Sequence, residues 1–382
     1  TAVRATSDKV KELKQYEEQL AKDPRQKQKW QEIKTEILKA DNELKKFNAE
    51  LKSSQINNLD KLKDSLNKVS NKAENVSHKL RGVSAGAAIG LAGASKSAIS
   101  FESAFAGVKK TVDGTDEDFK KIESGIRSMS KEIPVGADEL SHIGEVAGQL
   151  GVKKENIVDF TRVIADMSVA TNLSSEEAAT SLSQFMNVMG TSQDRIGNLG
   201  SAVVALGNNF ATNERDIVSM SQRLSGMAHQ VNMSEADVLG LATSMSALGI
   251  ESEAGGSAMT QVMNKMQNAV LSGGKELDNF AKAAGVSAEE FANAFKDRPT
   301  EALNYLLKGL DATNKSGGNV NEVLGTLGIT GIREADAVKR LSGALDGDNG
   351  LSKALEVSNK GFNENTALQK EAEQRYKLQK VS

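Results

Sequence analysis

Apolar residues in the first part of the chain recur every seven positions. Trp30, Ile37, Leu44 and Leu51 keep one seam, and Ile33, Ala40 and Phe47 fill the other. That spacing predicts a long coiled-coil helix. The register slips near residues 53–58 and resumes with Leu59, Leu66, Ala73 and Leu80, paired with Leu62, Val69, Val76 and Val83. A skip of this kind changes the local supercoil without ending the coil. Ahead of the rod, residues 7–22 form a short helical pattern, and Asp23-Pro24 supplies a cap and a first-turn proline for the restart. Continued to Ala98, the helix would be about 110 Å long at about 1.5 Å per residue. One molecule cannot hide such a stripe. The residues predict self-association, with another copy of the chain as the simplest partner.

Between residues 81 and 100 the pattern changes to Gly, Ala and Ser. Gly82, Gly86, Gly90, Ala94 and Ala98 recur every fourth residue. On a helix they make one smooth face that admits a second backbone. A flexible joint is the other reading, since an interior glycine costs a helix about 1 kcal/mol relative to alanine. Membrane contact is a third, weakened by Lys96 and by too few strongly apolar residues for a span.

From residue 101 to 345 the apolar spacing is that of short amphipathic helices broken by Gly/Ser/Asn turns, with no period-two alternation. The helices expected include 117–131, 137–150, 156–171, a capped helix after Leu173-Ser-Ser-Glu-Glu177, and further ones at 194–210, 213–230, 234–248, 255–270, 274–284, 288–295, 299–314 and 320–327. A faint repeat relates Leu140, Val152, Phe160 and Leu173 to Ile217, Met233, Leu241 and Ile250, at an offset of 77 to 81 residues. Two related three-helix units would produce it. After residue 346 the chain turns polar, and Leu355, Phe362 and Tyr376 keep heptad spacing, with Gln369 in the slot between the last two. This predicts the start of a second rod. The fold class expected is all-α: a coiled coil over 1–80, a Gly/Ala-rich joint over 81–100, a compact helical core over 101–345 and the second rod over 346–382.

Composition agrees with an elongated part joined to a globular one. Of 382 residues, 38% are hydrophobic and 26% charged. The absence of cysteine excludes disulfides and thiolate metal sites. Aromatics at 4% disfavour a β-sandwich and base-stacking nucleic-acid recognition. Residues 1–80 hold 18 Lys+Arg against 13 Asp+Glu, while the rest hold 30 against 38. A basic rod suits the neighbourhood of DNA, although a solvated helix surface accounts for the same charge. The chain opens Thr-Ala-Val-Arg without Met, which fits a fragment of something longer.

Chemistry is sparse. His78, His142 and His229 have no partner at ligand spacing. The stretches at 113–118 and 346–350 resemble calcium loops but lack the terminal Glu, so they read as turns. Gly255-Gly256 and Gly317-Gly318 lack the Lys-Ser/Thr of a phosphate loop. Met259, Met263 and Met266 share a helix face, as core filler or as an oligomer contact. No catalytic, cofactor or metal residue is expected. The candidate positions are an oligomer seam: Trp30, Ile37, Leu44, Leu51, Leu59, Leu66, Gly82, Gly86 and Gly90.

Several stretches, in this order, resemble the core of tailed-phage tail tape measure proteins. They are Phe101-Glu-Ser-Ala-Phe-Ala-Gly-Val108, Ala170-Thr-Asn-Leu-Ser-Ser-Glu-Glu-Ala-Ala179, Ala247-Leu-Gly-Ile-Glu-Ser-Glu-Ala-Gly-Gly-Ser-Ala-Met259 and Leu327-Gly-Ile-Thr-Gly-Ile-Arg-Glu-Ala335. Gly256-Ser257 stands for the family's Gly-Thr, and Leu327 for its Phe. The resemblance implies a structural, non-enzymatic protein that lies in the tail tube as parallel copies, a trimer or hexamer. It sets tail length during assembly and leaves with the DNA at infection. Implied partners are the tail tube protein, tail assembly chaperones and baseplate or tip proteins, with DNA nearby and membrane contact at infection. The implied location is the virion, with host cytoplasm during assembly. A cellular coiled-coil adaptor or envelope-binding module is the alternative.

Overall fold

The computed structural model describes residues 90–379 apart from residue 346, with side chains from residue 101 to 378. The seam positions Trp30, Ile37, Leu44, Leu51, Leu59, Leu66, Gly82 and Gly86 lie outside the described residues. The chain divides into two units between Gly107 and Val108. Among the described residues there are helices and turns and no strand.

Helix α1 (Gly90–Thr111) includes the last seam glycine and runs unbroken through the Phe101–Val108 motif. The expected boundary after residue 100 is therefore not a break. Phe101 and Phe105, one turn apart, stack with ring centroids 5.5 Å apart.

The second unit is organised by a period the sequence hides. Four helices begin after Gly136, Ser174, Asn213 and Glu251: α3 (Ala137–Gln149), α5 (Ser175–Met189), α7 (Glu214–Gln230) and α9 (Ser252–Ser272). Four more begin after Asn156, Arg195, Ser234 and Gly273: α4 (Ile157–Ala170), α6 (Ile196–Asn209), α8 (Glu235–Ala247) and α10 (Gly274–Ala284). Successive starts are 38 or 39 residues apart in the first set and 39 apart in the second. The unit is a tandem array of helix pairs, preceded by α2 (Asp116–Glu132). Neighbouring pairs stack like on like, α3 on α5 on α7 on α9 and α4 on α6 on α8. This is the arrangement of helical solenoids, in which each pair buries its apolar face only against the next.

The turns repeat with the helices. Gly151, Gly190 and Asn232 each take the left-handed conformation, at φ 80, 72 and 58°. The next residue then donates its N–H back into the preceding helix, from Val152 to Ala147, Thr191 to Met186 and Met233 to Ala228, at 2.9–3.0 Å. A helix ends this way where glycine or asparagine can adopt positive φ. At the opposite end, Ser174 and Asn213 accept hydrogen bonds from Glu177 and Asp216 amides and so start α5 and α7. The offset of 77 to 81 residues seen in the sequence is two of these periods.

Side chains at matching positions are all buried. Phe160, Leu199 and Val238 are equivalent, as are Ile164, Val203 and Ala242, and Met167, Leu206 and Met245. Every residue from Ala236 to Met245 is buried, so α8 has no solvated face. A helix of that kind must be covered on all sides. Gly255 and Gly256 open α9 where side chains would collide, with added Cβ atoms 2.3 Å from Ile250 Cγ2 and 2.5 Å from Arg223 Cβ. The glycine pair of the Ala247–Met259 stretch is thus explained by packing. Met259, Met263 and Met266 are buried within the chain.

Beyond the array, α11 (Ala288–Asp297) and α12 (Pro299–Lys315) pack with α10 around the stacked rings of Phe280 and Phe291. A short α13 (Val320–Thr326) follows, then α14 (Ile332–Gly343), a helix the apolar spacing did not announce. It packs on α9 and α12.

The last two helices differ from the expectation of a separate rod. α15 (Leu351–Glu364) lies on α6 and α8, and α16 (Ala367–Gln379) lies on α4 and α6. Leu355, Phe362 and Tyr376, the presumptive seam of that rod, are buried. Their spacing marks a face turned onto the array, because the second-helix layer needs a cover.

Candidate functional site: a groove closed by a returning helix pair

The groove formed by α4, α6 and α8 is shaped by small residues. A Cβ added to Gly240 of α8 would sit 3.0 Å from Ala354 O and from Leu355 Cα. One added to Gly200 of α6 would sit 2.8 Å from Leu368 Cδ2. From the other side, a Cβ on Gly361 of α15 would come within 3.2 Å of Ala202 Cα. Glycine lets helix backbones touch at Gly240 and Gly361 and admits the Leu368 side chain at Gly200. We call α15–α16 the strap.

Between the glycines the strap is held by polar contacts. Asn198 Nδ2 donates to Phe362 O at 2.7 Å and Ser358 Oγ to Ala236 O at 2.6 Å. Ser201 Oγ donates to Asn365 Oδ1 at 3.1 Å. Asn365 itself is left-handed, at φ 49°, and breaks α15 from α16. The Arg195 guanidinium lies 4.6 Å from the Phe362 ring centroid, within cation–π range.

Two buried carboxylates act as clasps. Asp237, near the start of α8, is 2% exposed. It accepts a forked pair from Arg298, Nη2 at 2.6 Å and Nε at 3.0 Å, one bond from Thr300 Oγ1 at 3.1 Å and one from Asn359 Nδ2 of the strap at 3.0 Å. Burial pushes its carboxyl up, but the hydrogen bonds from Arg298, Asn359 and Thr300 and the Arg298 charge outweigh burial and hold it below the usual carboxylate range. Asp166 of α4 accepts from Arg162 Nε at 3.0 Å and from Tyr376 Oη of the strap at 2.8 Å. There burial prevails over Arg162 and Tyr376, and the carboxyl is raised. The Tyr376 hydroxyl is pushed far up by burial and by the Asp166 charge. It is a permanent donor. Arg162 reaches on to Glu132 of α2 at 3.1 Å.

These groups bind helices to one another. Arg298 through Nε and Nη2, and Tyr376 through its hydroxyl, donate to structural carboxylates. His142 and His229 are both exposed, and His142 stands 3.5 Å from Glu145. Among the described residues no group of three or more His, Cys, Asp or Glu could hold a metal ion, and no helix is long and apolar enough to cross a membrane. The sequence reading missed Asp166 and Asp237. Their signal was a lone acid inside an apolar run, Phe160–Ala170 and Ala236–Met245, where a charge survives only with buried donors.

Residues 123–327, from within α2 to the end of α13, match the model of the family described as phage-related minor tail protein. The chain belongs to that family. The match spans the whole array of this minor tail protein and stops short of the strap. A curated relative, the "Probable tape measure protein" of Halomonas phage phiHAP-1, is 24% identical over 290 residues, covering 63% of this chain and 33% of the relative. The chain thus spans about a third of that relative's length. No solved structure matches it.

Proposed function

We propose that the chain is part of a tape measure protein: it occupies the lumen of a phage tail tube, sets tail length during assembly and is released with the DNA at infection. The observation that carries this reading is the family match across the repeat array, joined to the likeness to a protein named a tape measure protein. The heptad seam from Trp30 to Leu66 supports it, because a stripe of that length requires neighbouring copies. Those copies lie parallel, as a trimer or hexamer. The tail tube protein, tail assembly chaperones and baseplate or tip proteins are its contacts, and DNA lies close by. The Gly/Ala segment at 81–100 is the part suited to membrane contact at infection. The role is structural, without a reaction of its own.

The test is length. Deleting about four heptads of the rod in the phage should shorten the tail by about 40 Å, at about 1.5 Å of helix per residue. Electron microscopy of the particles reads it directly. Tails of unchanged length would end the ruler reading.

A further inference from the structure

We propose that the strap is a tie-bar: it fixes the rotation between successive helix pairs from α4 to α8, and an array freed of it flexes at those interfaces. In a tandem array each pair meets only its neighbours, and the curvature follows from a small rotation at each step. Here α4 stacks on α6 and α6 on α8. The strap crosses both steps. Its second helix, α16, lies on α4 and α6, and α15 lies on α6 and α8. The two join at Asn365 over α6, where Ser201 Oγ donates to Asn365 Oδ1 at 3.1 Å. A helix has a fixed rise per residue, so neither half of the strap can stretch.

Each end of the strap is fastened, and each fastening reaches past the helix that it grips. At α4 the Tyr376 hydroxyl donates to Asp166 at 2.8 Å, and Arg162, which also holds Asp166, reaches Glu132 of α2. At α8 Asn359 Nδ2 donates to Asp237 at 3.0 Å and Ser358 Oγ to Ala236 O at 2.6 Å. Arg298 and Thr300 hold the same Asp237 from the start of α12. The tie therefore runs from α2 to α12. Its middle has no slack. An added Cβ on Gly361 would lie 2.9 Å from Ala205 Cβ, and one on Gly240 would lie 3.0 Å from Leu355 Cα. Turning α4 or α8 about α6 would pull a fastening apart or drive the strap into the array. The strap follows the family segment, residues 123–327, so the tie can be altered without touching that segment.

The chain contains no cysteine, so introduced thiols are the only labelling sites. His142 of α3 and Gly226 of α7 are exposed, and α5 lies between their helices, so they span the two steps that the strap ties. Spin labels on His142→Cys and Gly226→Cys, in full chains diluted with unlabelled ones, read that distance within one chain by pulsed electron resonance. Gly361→Leu, Asn359→Ala and Tyr376→Phe together release the strap. All three substitutions lie on the strap itself, and hydrogen exchange of residues 351–378 shows whether it has lifted. The tie predicts one narrow distance in the parent chain and a distribution about twofold wider after release, with the helices from α3 to α9 still protected. An unchanged distribution with the strap lifted would mean that the pairs set their own rotation, and the proposal would be overturned. A strap that stays docked without these contacts would overturn it too. So would an array that loses its protection along with the strap, because the strap would then be part of the core and not a tie upon it. The measurement needs no phage tail, so its outcome is independent of the ruler reading.

Discussion

Gly309→Ala is expected to lower the melting temperature of the chain by about 4–8 °C. Gly309 sits in α12 where it crosses α10, and an added Cβ would lie 1.8 Å from Ala283 O and 2.8 Å from its carbonyl carbon. Those are backbone atoms and cannot rotate away. The two helices would have to part by well over an ångström, opening the layer that holds Phe280 and Phe291. Overpacking of a core costs about 1–3 kcal/mol and at times more. Alanine also favours the helix by up to about 1 kcal/mol over glycine, so the two effects oppose each other. The clash is the larger. Gly226→Ala provides the comparison, since nothing lies within 4 Å of its added Cβ and its backbone is helical. That variant should gain up to about 1 kcal/mol. For a domain of this size, about 2–4 °C accompanies each kcal/mol. Thermal unfolding of both variants beside the wild type reads the difference in sign.

Asp237→Asn should cost about 2–3 kcal/mol at neutral pH. The substitution keeps the shape, removes the charge and turns an amide donor toward Arg298, Thr300 or Asn359, all of which are donors here. The Arg298 side chain is 47% exposed and can turn to water, which keeps the loss below that of a fully buried pair. Asp166→Asn should cost less. The Asp166 carboxyl is raised by burial, so the fold already leans toward its neutral form. Asp237 leans the other way. A carboxyl lowered by folding stabilises the chain above its unfolded value, about 3.9 for aspartate, and that contribution is lost as the pH falls through the folded value. The gap between wild type and Asp237→Asn should therefore narrow as the pH is lowered below about 4. Denaturant unfolding across that range, at pH 7 and downward, checks both the magnitude and the narrowing.

Much of the architecture was legible because it rests on local rules. The Ser174–Glu177 capping box placed the start of α5, and the turn at 113–116 placed α2, whose Thr115–Asp118 box the structure contains. The repeat was legible only at twice its true period. Its equivalent positions share burial rather than identity: Phe160, Leu199 and Val238 fill one site, and Ile164, Val203 and Ala242 the next. Volumes trade off from pair to pair, so one pair resembles its second neighbour as well as its first. α14 escaped notice because Ile332–Gly343 buries only Ala337, Val338, Leu341 and Ser342, too few large apolar residues to show a stripe. The strap was misread for a different reason. A heptad-spaced face reports that a helix is covered on one side, and it says nothing of whether the cover is another copy or the chain's own array. The clasps required tertiary contacts between residues 122 and 210 positions apart, which spacing cannot supply.

Hydrogen–deuterium exchange of the full chain tests most directly whether the strap closes the array. A docked strap unfolds with the unit that it covers. The amides of α15 and α16 should exchange as slowly as those of α4, α6 and α8. Exchange of residues 351–379 at the rate of an unprotected peptide, with the array still protected, would show instead a separate rod beginning after residue 346.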